Sequence, residues 1–583
     1  MLAFLQNLFS KATEKQLVFL WLVFCFAALS YKLGGVPPYH SDENYYVESV
    51  RNMVESGDYL TPMYRDEKRF AKPILYYWLM SASHKVFGVN LVSARLTSVI
   101  FGGLAIGLLY LLSRRLFEGR VALYSALILP ASFMHFQISR WATTDIVMSF
   151  FVLLALYFFV RLYQNDFKAK KDAYLFYLAM ALGFMTKGPP AVIIPGMVVL
   201  LFLWATQRLR SLSQMRIGQG SMILLLVILP WFVTMLFLHG DEFKNHIIGA
   251  EIKNRLGNDD PFSLYYLGVL FRYYLPWILF FLVAALQQFG FYSCSSVSGI
   301  SEYFRQVPNS IRARVGLLFS KENESVLFCY VWLVVCLVLF TLVRTEHSRY
   351  MLPASSAVAI LVAKFFADTE KNGLEGYKIP LVLTGIILVM IATLSGAALY
   401  VFDMVYHTPV HFLLLPVVFL AAGISVFRLN KKRQCGQQVF VISFSLVFAF
   451  SFLSGEVLPH ANRYPMKIFS EKILSEKITD PIAVYRLGNQ RAKLGVLTGQ
   501  KSYNLSQPGQ ILQFMDSKGK VLVVMREKDF LNDFSHIPLK VVAEDIAWLR
   551  GGNVWQKFEE LWKGAEPADV SGLTEKIYLL SNR

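Results

Sequence analysis

The stretch "LVFLWLVFCFAALSYKLGGVPPYHSDENYYVESVRNMVESGDY", residues 17–59, decides how the rest of the chain is read. Its first part is an apolar run of the length a helix needs to cross a bilayer, since about 20 residues at 1.5 Å each span the hydrocarbon. The run lacks a convincing small-x-small cleavage site before Tyr31 and Lys32, so it reads as a first span rather than a signal peptide. The chain then turns acidic, with His40, Asp42, Glu43, Glu48, Glu55 and Asp58 following directly. Ser41 suits an N-cap, Asp42 and Glu43 the first helical turn, and Gly57 the stop. Tyr46, Val47, Val50 and Val54 give this helix an apolar face, as expected of a helix lying on the membrane surface.

Working outward, apolar runs of this kind recur through all but the last part of the 583 residues, which are 55% hydrophobic and include 48 Phe. The pattern is that of a polytopic α-helical membrane protein. Thirteen spans are expected, near 17–34, 92–113, 121–138, 146–163, 173–186, 190–206, 218–238, 274–292, 326–343, 351–366, 379–401, 412–428 and 438–455. With the N-terminus inside, the loops "RRLFEGR" (114–120), "KAKK" (168–171), "QRLRSLSQMR" (207–216) and "RLNKKRQ" (428–434) are cytoplasmic, as the positive-inside rule requires. Membrane topology thus accounts for the net charge of +17 without a nucleic-acid partner. The five cysteines have no metal-ligand spacing, and Cys25, Cys329 and Cys336 lie in apolar runs as core residues.

The division expected is a transmembrane domain over 1–455, whose first outside loop (35–91) carries interfacial helices, and a soluble α/β domain over 456–583. A second interfacial helix follows Pro73, with Tyr76, Tyr77 and Trp78 suited to the headgroup zone. In the last segment, "IAVYRL" (482–487), "VLVVM" (521–525), "LKVVAE" (539–544) and "KIYLLS" (576–581) read as strands. Met466, Phe469 and Ile473 recur between them at helical spacing. That domain serves either acceptor recognition or as a cap.

The polar clusters fall on the outside: Asp42 and Glu43; Lys72; Arg140 and Asp145; Lys187; Glu251 and Arg255; His347, Arg349 and Tyr350. Each has a plain alternative. Asp42 could merely face a helix dipole, Lys72 could snorkel, and Arg140 and Asp145 could form an ion pair or a cap. Arginine forks such as Arg349 suit phosphate oxygens, or else anchor a span at the interface. The chain has no P-loop, no GxGxxG in a strand–helix context, no GxSxG and no HExxH.

Five segments in order carry a family resemblance: "SDENYYVESVRNMVESGDYLTP", "RFAKPILYYWL", "SRWATTDI", "GFMTKGP" and "HSRYMLP". Together they resemble the GT-C membrane glycosyltransferases of the PMT/ArnT type, over roughly residues 40 to 355. The resemblance implies a GT-C fold and an inverting enzyme. It would move a sugar from a polyprenyl (undecaprenyl) phosphate to lipid A, a related envelope glycolipid or another glycan at the periplasmic surface of a bacterial inner membrane. It implies a site and C-terminal domain in the periplasm, and a monomer is expected. Position by position, Asp42 matches the catalytic aspartate and Asp145 the second acidic position, with Glu43 beside them. Lys72, Arg255 and Tyr350, with Arg349 and Lys187, match the donor-phosphate side. Ala71 and Tyr45 depart from the pattern, where relatives have Glu and Arg, and "LGNDDPFS" after Arg255 lacks a histidine found in some of them. That Glu and His go with a bound divalent metal in relatives, so a divalent metal stays open as a cofactor while its matching ligands are absent here. The alternatives are a protein O-mannosyltransferase-like enzyme and a flippase for lipid-linked sugars. A flippase calls for acidic groups inside the spans, which these lack.

Overall fold

A computed structural model of the chain describes residues 12–38, 41–65, 67–247, 249, 263–288, 316–343, 346–372, 378–405, 408–432, 434–461, 464–487, 490–548 and 574–583. Among the described residues, helix occupies at least part of each of the thirteen expected spans. Among the described residues, eight helices are long and apolar enough to cross a membrane, and ten if each of two bent pairs counts as one span. The protein is therefore a multi-pass helical membrane protein.

One expected span is broken. Residues 121–138 form two helices, Gly119–Ile128 and Phe133–Ser139, bent by 63°. Pro130 lies at the break; it has no amide hydrogen to continue the ladder. The Ser139 end of that bend packs against the Leu91–Leu116 helix, where a Cβ added at Gly102 would lie 2.7 Å from the Ser139 Cβ. Glycine is what lets these backbones approach. Gly102→Val is expected to lower the yield and melting temperature of the purified protein; an unchanged melting curve would show that the contact is loose.

Two helices follow the first span, over Ser41–Ser56 and Leu75–Phe87. The Ser41–Ser56 helix ends at Gly57, whose φ of +75° is a conformation glycine adopts without strain. Its Tyr46, Val47, Val50 and Met53 are buried. The second helix, Leu75–Phe87, departs in one respect: Tyr76 and Tyr77 are fully buried rather than at the headgroup level, while Trp78 is exposed. Between the two helices a short hairpin pairs β1 (Met63–Tyr64) with β2 (Glu67–Lys68).

The C-terminal part forms a five-stranded sheet. Its strands are β3 (Ile482–Tyr485), β4 (Ser502–Leu505), β5 (Leu522–Arg526), β6 (Lys540–Trp548) and β7 (Thr574–Ser581), in the order β4-β3-β5-β7-β6. Strands β4, β3 and β5 are parallel, and β7 runs antiparallel between β5 and β6. Ile482 and Val484 pack with Met466, Phe469 and Ile473 on one face. Ala483 and Tyr485 pack with Ile511 and Phe514 on the other. Helices on both faces explain why β3 and β5 read as continuous apolar runs. Among the described residues, side-chain hydrogen bonds help fasten the sheet unit to the membrane part. Arg51 Nη1 donates to the Gly495 carbonyl at 2.6 Å, and Lys467 Nζ to the Gly35 carbonyl at 3.0 Å.

Candidate active site

Four charged residues scattered over some 300 positions of sequence meet at one end of the helices. Asp145 opens the Asp145–Gln164 helix, Lys187 closes Lys170–Lys187, and Arg349 sits in the 3-10 turn Ser348–Ala354 before the next helix. Asp42 comes from the first turn of Ser41–Ser56. Arg349 Nη2 lies 2.8 Å from Asp42 Oδ2, and its Nε lies 3.9 Å from Asp145 Oδ2. Lys187 Nζ donates to Asp145 Oδ1. The order is thus Asp42–Arg349–Asp145–Lys187, with charges alternating in sign. Buried charges persist when paired in this way.

Exposure separates the two carboxylates. Asp145 is 3% exposed at its side chain, whereas Asp42 is 28% exposed. Asp42 is therefore the carboxylate an incoming molecule can reach, and Asp145 holds the two cations behind it. Tyr350 lines the same place, with Lys187 Nζ 4.6 Å above its ring and the His347 ring 5.2 Å away. Burial, then the Arg349 and Lys187 charges, hold the His347 imidazole below its usual pKa.

Lys72 stands just before the second interfacial helix, with Nζ donating to the Ala71 carbonyl at 2.7 Å. Arg255 and Glu251 lie outside the described residues. Glu43 departs from its expected catalytic place. It is fully buried, and both of its oxygens receive Arg95, Nε to Oε1 at 2.9 Å and Nη2 to Oε2 at 3.0 Å. Oε1 also accepts the Ala142 amide at 2.9 Å. Neighbours on a helix point about 100° apart, so Asp42 and Glu43 cannot share one face. Arg140 forms no pair with Asp145. It is buried, and donates to the carbonyls of Ala28, Leu29 and Tyr31 at 3.1, 2.8 and 2.8 Å, closing the end of the first helix.

Two residues were not anticipated. Arg95 is a lone cation in the apolar run "LVSARLTSVIF", a placement that demands a buried partner and could have pointed to Glu43. Arg69 lies with its guanidinium 4.1 Å over the Tyr45 ring. Among the described residues, no three His, Cys, Asp or Glu side chains gather as they would to hold a metal ion.

This arrangement defines a polytopic membrane protein with a charged site where several helices end, below an α/β unit. A family model described as Dolichyl-phosphate-mannose-protein mannosyltransferase matches residues 71–233. A protein of Aquifex aeolicus is 27% identical over 465 residues, which cover 79% of this chain and 82% of that protein. The undecaprenyl phosphate-alpha-4-amino-4-deoxy-L-arabinose arabinosyl transferase of Photorhabdus laumondii is 27% identical over 392 residues, 66% of this chain and 65% of that enzyme. The match thus spans just under two thirds of that relative's length. The crystal structure of ArnT from Cupriavidus metallidurans bound to undecaprenyl phosphate superposes with a TM-score of 0.70 at 18% identity, covering 97% of this chain and 98% of that one. These similarities support a GT-C glycosyltransferase of the PMT/ArnT type, with the fold shared over nearly the whole chain.

Proposed function

We propose that this protein transfers a sugar from an undecaprenyl-type polyprenyl phosphate to lipid A or a related envelope glycolipid, at the periplasmic face of a bacterial inner membrane. The observation that carries this reading is the accessible Asp42, held by Arg349 in front of the buried Asp145–Lys187 pair. The relatives named as aminoarabinose transferases and the shared GT-C fold support the same reading. The orientation rests on charge: loops 114–120, 168–171 and 207–216 are basic and, with the N-terminus, are cytoplasmic.

In this reaction an acceptor oxygen attacks the anomeric carbon. The bond from that carbon to the carrier phosphate breaks, polyprenyl phosphate leaves with the electron pair, and configuration inverts. Lys72, Arg255 and Tyr350 hold the leaving phosphate, whose charge the cations of the site stabilise. Arg349 and Lys187, already engaged by Asp42 and Asp145, orient the carboxylates and lend their field to the same phosphate. With a hydroxyl acceptor, Asp42 receives its proton. With a phosphate acceptor no proton moves, and Asp42 orients the acceptor or faces the positive charge that develops on the sugar.

The test is transfer by purified protein in detergent, supplied with a panel of polyprenyl-phosphate sugars and envelope lipid extracts and read as product mass. A mass increment on a lipid A species supports the proposal and identifies the sugar. No increment from any donor, with lipid-linked sugar still crossing vesicle membranes, would replace it with a flippase. Lys72 has its own prediction. A hydrogen bond to a charged group is worth about 1.5–3 kcal/mol, so Lys72→Ala is expected to weaken undecaprenyl phosphate binding about 10- to 100-fold. Unchanged affinity in a direct binding titration would remove Lys72 from the phosphate site.

A further inference from the structure

Away from the Asp42 cluster, a cleft of about 560 Å³ opens between the first interfacial helix and the sheet unit. One wall is a single stripe of the Ser41–Ser56 helix: Glu48, Arg51, Asn52 and Glu55. Their spacing of three, one and three places them on one face. The opposite wall is the Gly499–Ser502 turn that leads into β4. Arg65, beside the β1 strand, closes one side.

The walls are polar and held in place. Asn52 Nδ2 donates to the Met63 carbonyl at 3.0 Å, and Glu48 Oε1 accepts the Arg65 amide at 3.2 Å. Arg51 reaches across to Gly495 and lies 3.8 Å from Glu55. Arg65 has a φ of +60°, a strained conformation for a residue with a side chain, and strain of this kind gathers at binding sites. Its Nε is buried without a hydrogen-bond partner among the described residues.

The chemistry of these walls selects a ligand class. Met63 is the single large apolar side chain among the lining residues, so the cleft does not suit an acyl or prenyl chain. Carboxylates, cations and amides stand side by side, so it is not a simple phosphate trap either. Alternating donors and acceptors of both signs fit the hydroxyls of a sugar, and the positive charge of Arg65 and Lys501 in the lining suits a phosphate on it. The location matters as much. At 1.5 Å per residue, Glu48 and Glu55 lie about 9 and 20 Å along the helix from Asp42.

We infer that this cleft binds the glycan headgroup of the acceptor, laying it along the Ser41–Ser56 helix with its reactive end at Asp42. The inference deepens the proposed transferase reading and rests on it. The sheet unit thereby gains a role in the reaction, because Gln500, Lys501 and Ser502 supply half of the acceptor site.

The test uses the whole purified protein and deacylated lipid A disaccharide bisphosphate as probe, measured by equilibrium binding, so that it does not depend on turnover. Lys501→Glu, which leaves Arg51 and its tie to Gly495 intact, is expected to weaken probe binding at least 10-fold. Undecaprenyl phosphate binding and the melting temperature should not change. Equal probe affinity in wild type and variant, or no probe binding by wild type, would overturn the cleft assignment. Transfer to whole lipid A in the wild type would still stand in either case, so the two readings fail separately. In the transfer assay the same variant should raise KM for the acceptor and leave KM for the donor alone. A fall in kcat alone would point instead to a disturbed Asp42 and would also overturn the inference.

Discussion

Asp42→Asn is expected to slow sugar transfer about 10²- to 10⁴-fold with a hydroxyl-bearing acceptor, the range that loss of a positioned general base produces. The substitution keeps the side chain's shape and one oxygen for Arg349, which lies 2.8 Å away. Arg349 also faces Asp145 at 3.9 Å, and Lys187 stays bonded to Asp145, so the buried half of the cluster survives. Folding and undecaprenyl phosphate binding should therefore match the wild type, with the loss falling on kcat. The acceptor decides how large the loss is. A phosphate nucleophile brings no proton to remove, so the same variant should be impaired much less with an acceptor that reacts through phosphate. Rates measured with both acceptor types, beside a melting curve, check the assignment. Near-normal turnover with a hydroxyl acceptor would take Asp42 out of the chemistry. Equal losses with both would leave it an orienting role only.

The elements that sequence pattern exposes are those whose cause is local. Apolar length marks the long helices of the membrane part, and Ser41 to Gly57 carries its own start and stop signals. The strands β3 and β5 are legible because both faces are covered, which makes them continuous apolar runs. By contrast β4, "SYNL", lies at the sheet edge and has too few apolar residues to announce itself. The bend between Ile128 and Phe133 follows from one residue, Pro130, inside an otherwise convincing span.

The site divides in the same way. Asp42, Asp145, Lys187 and Arg349 stand out singly because charged residues at helix ends are conspicuous in an apolar chain. Their order of contact is not legible, since it depends on how four helix ends from distant parts of the sequence come together. Tyr45 looks like the loss of a charge when read alone. In three dimensions Arg69, from the other side of the hairpin, returns a guanidinium to that ring. Glu43 misleads for the opposite reason: it adjoins Asp42 in sequence, yet one step along the helix turns it into the protein.

That step carries the other large prediction. Glu43→Gln is expected to destabilise the protein by about 3–5 kcal/mol, because it leaves the Arg95 charge buried without its counterion. Arg95 cannot turn to water: it is 4% exposed, and its Nη1 already serves the carbonyls of Leu33 and Val36 at 2.7 and 2.8 Å. Glu43 in turn holds the amide of Ala142, three residues before Asp145. The pair therefore joins the end of the first span, the Asp42 helix and the turn that presents Asp145. A buried ion pair of this kind can often be replaced by apolar side chains of similar volume with little loss of stability. The double variant Glu43→Leu/Arg95→Met should accordingly melt closer to the wild type than Glu43→Gln does. It should still transfer sugar poorly, because Ala142 has lost its acceptor and the approach of Asp42 to Asp145 is no longer set. Recovery of both stability and rate in the double variant would show that the pair is only a fastening. A wild-type melting temperature in Glu43→Gln would show that the arginine finds another partner, and would return Glu43 to the groups free to act on substrate.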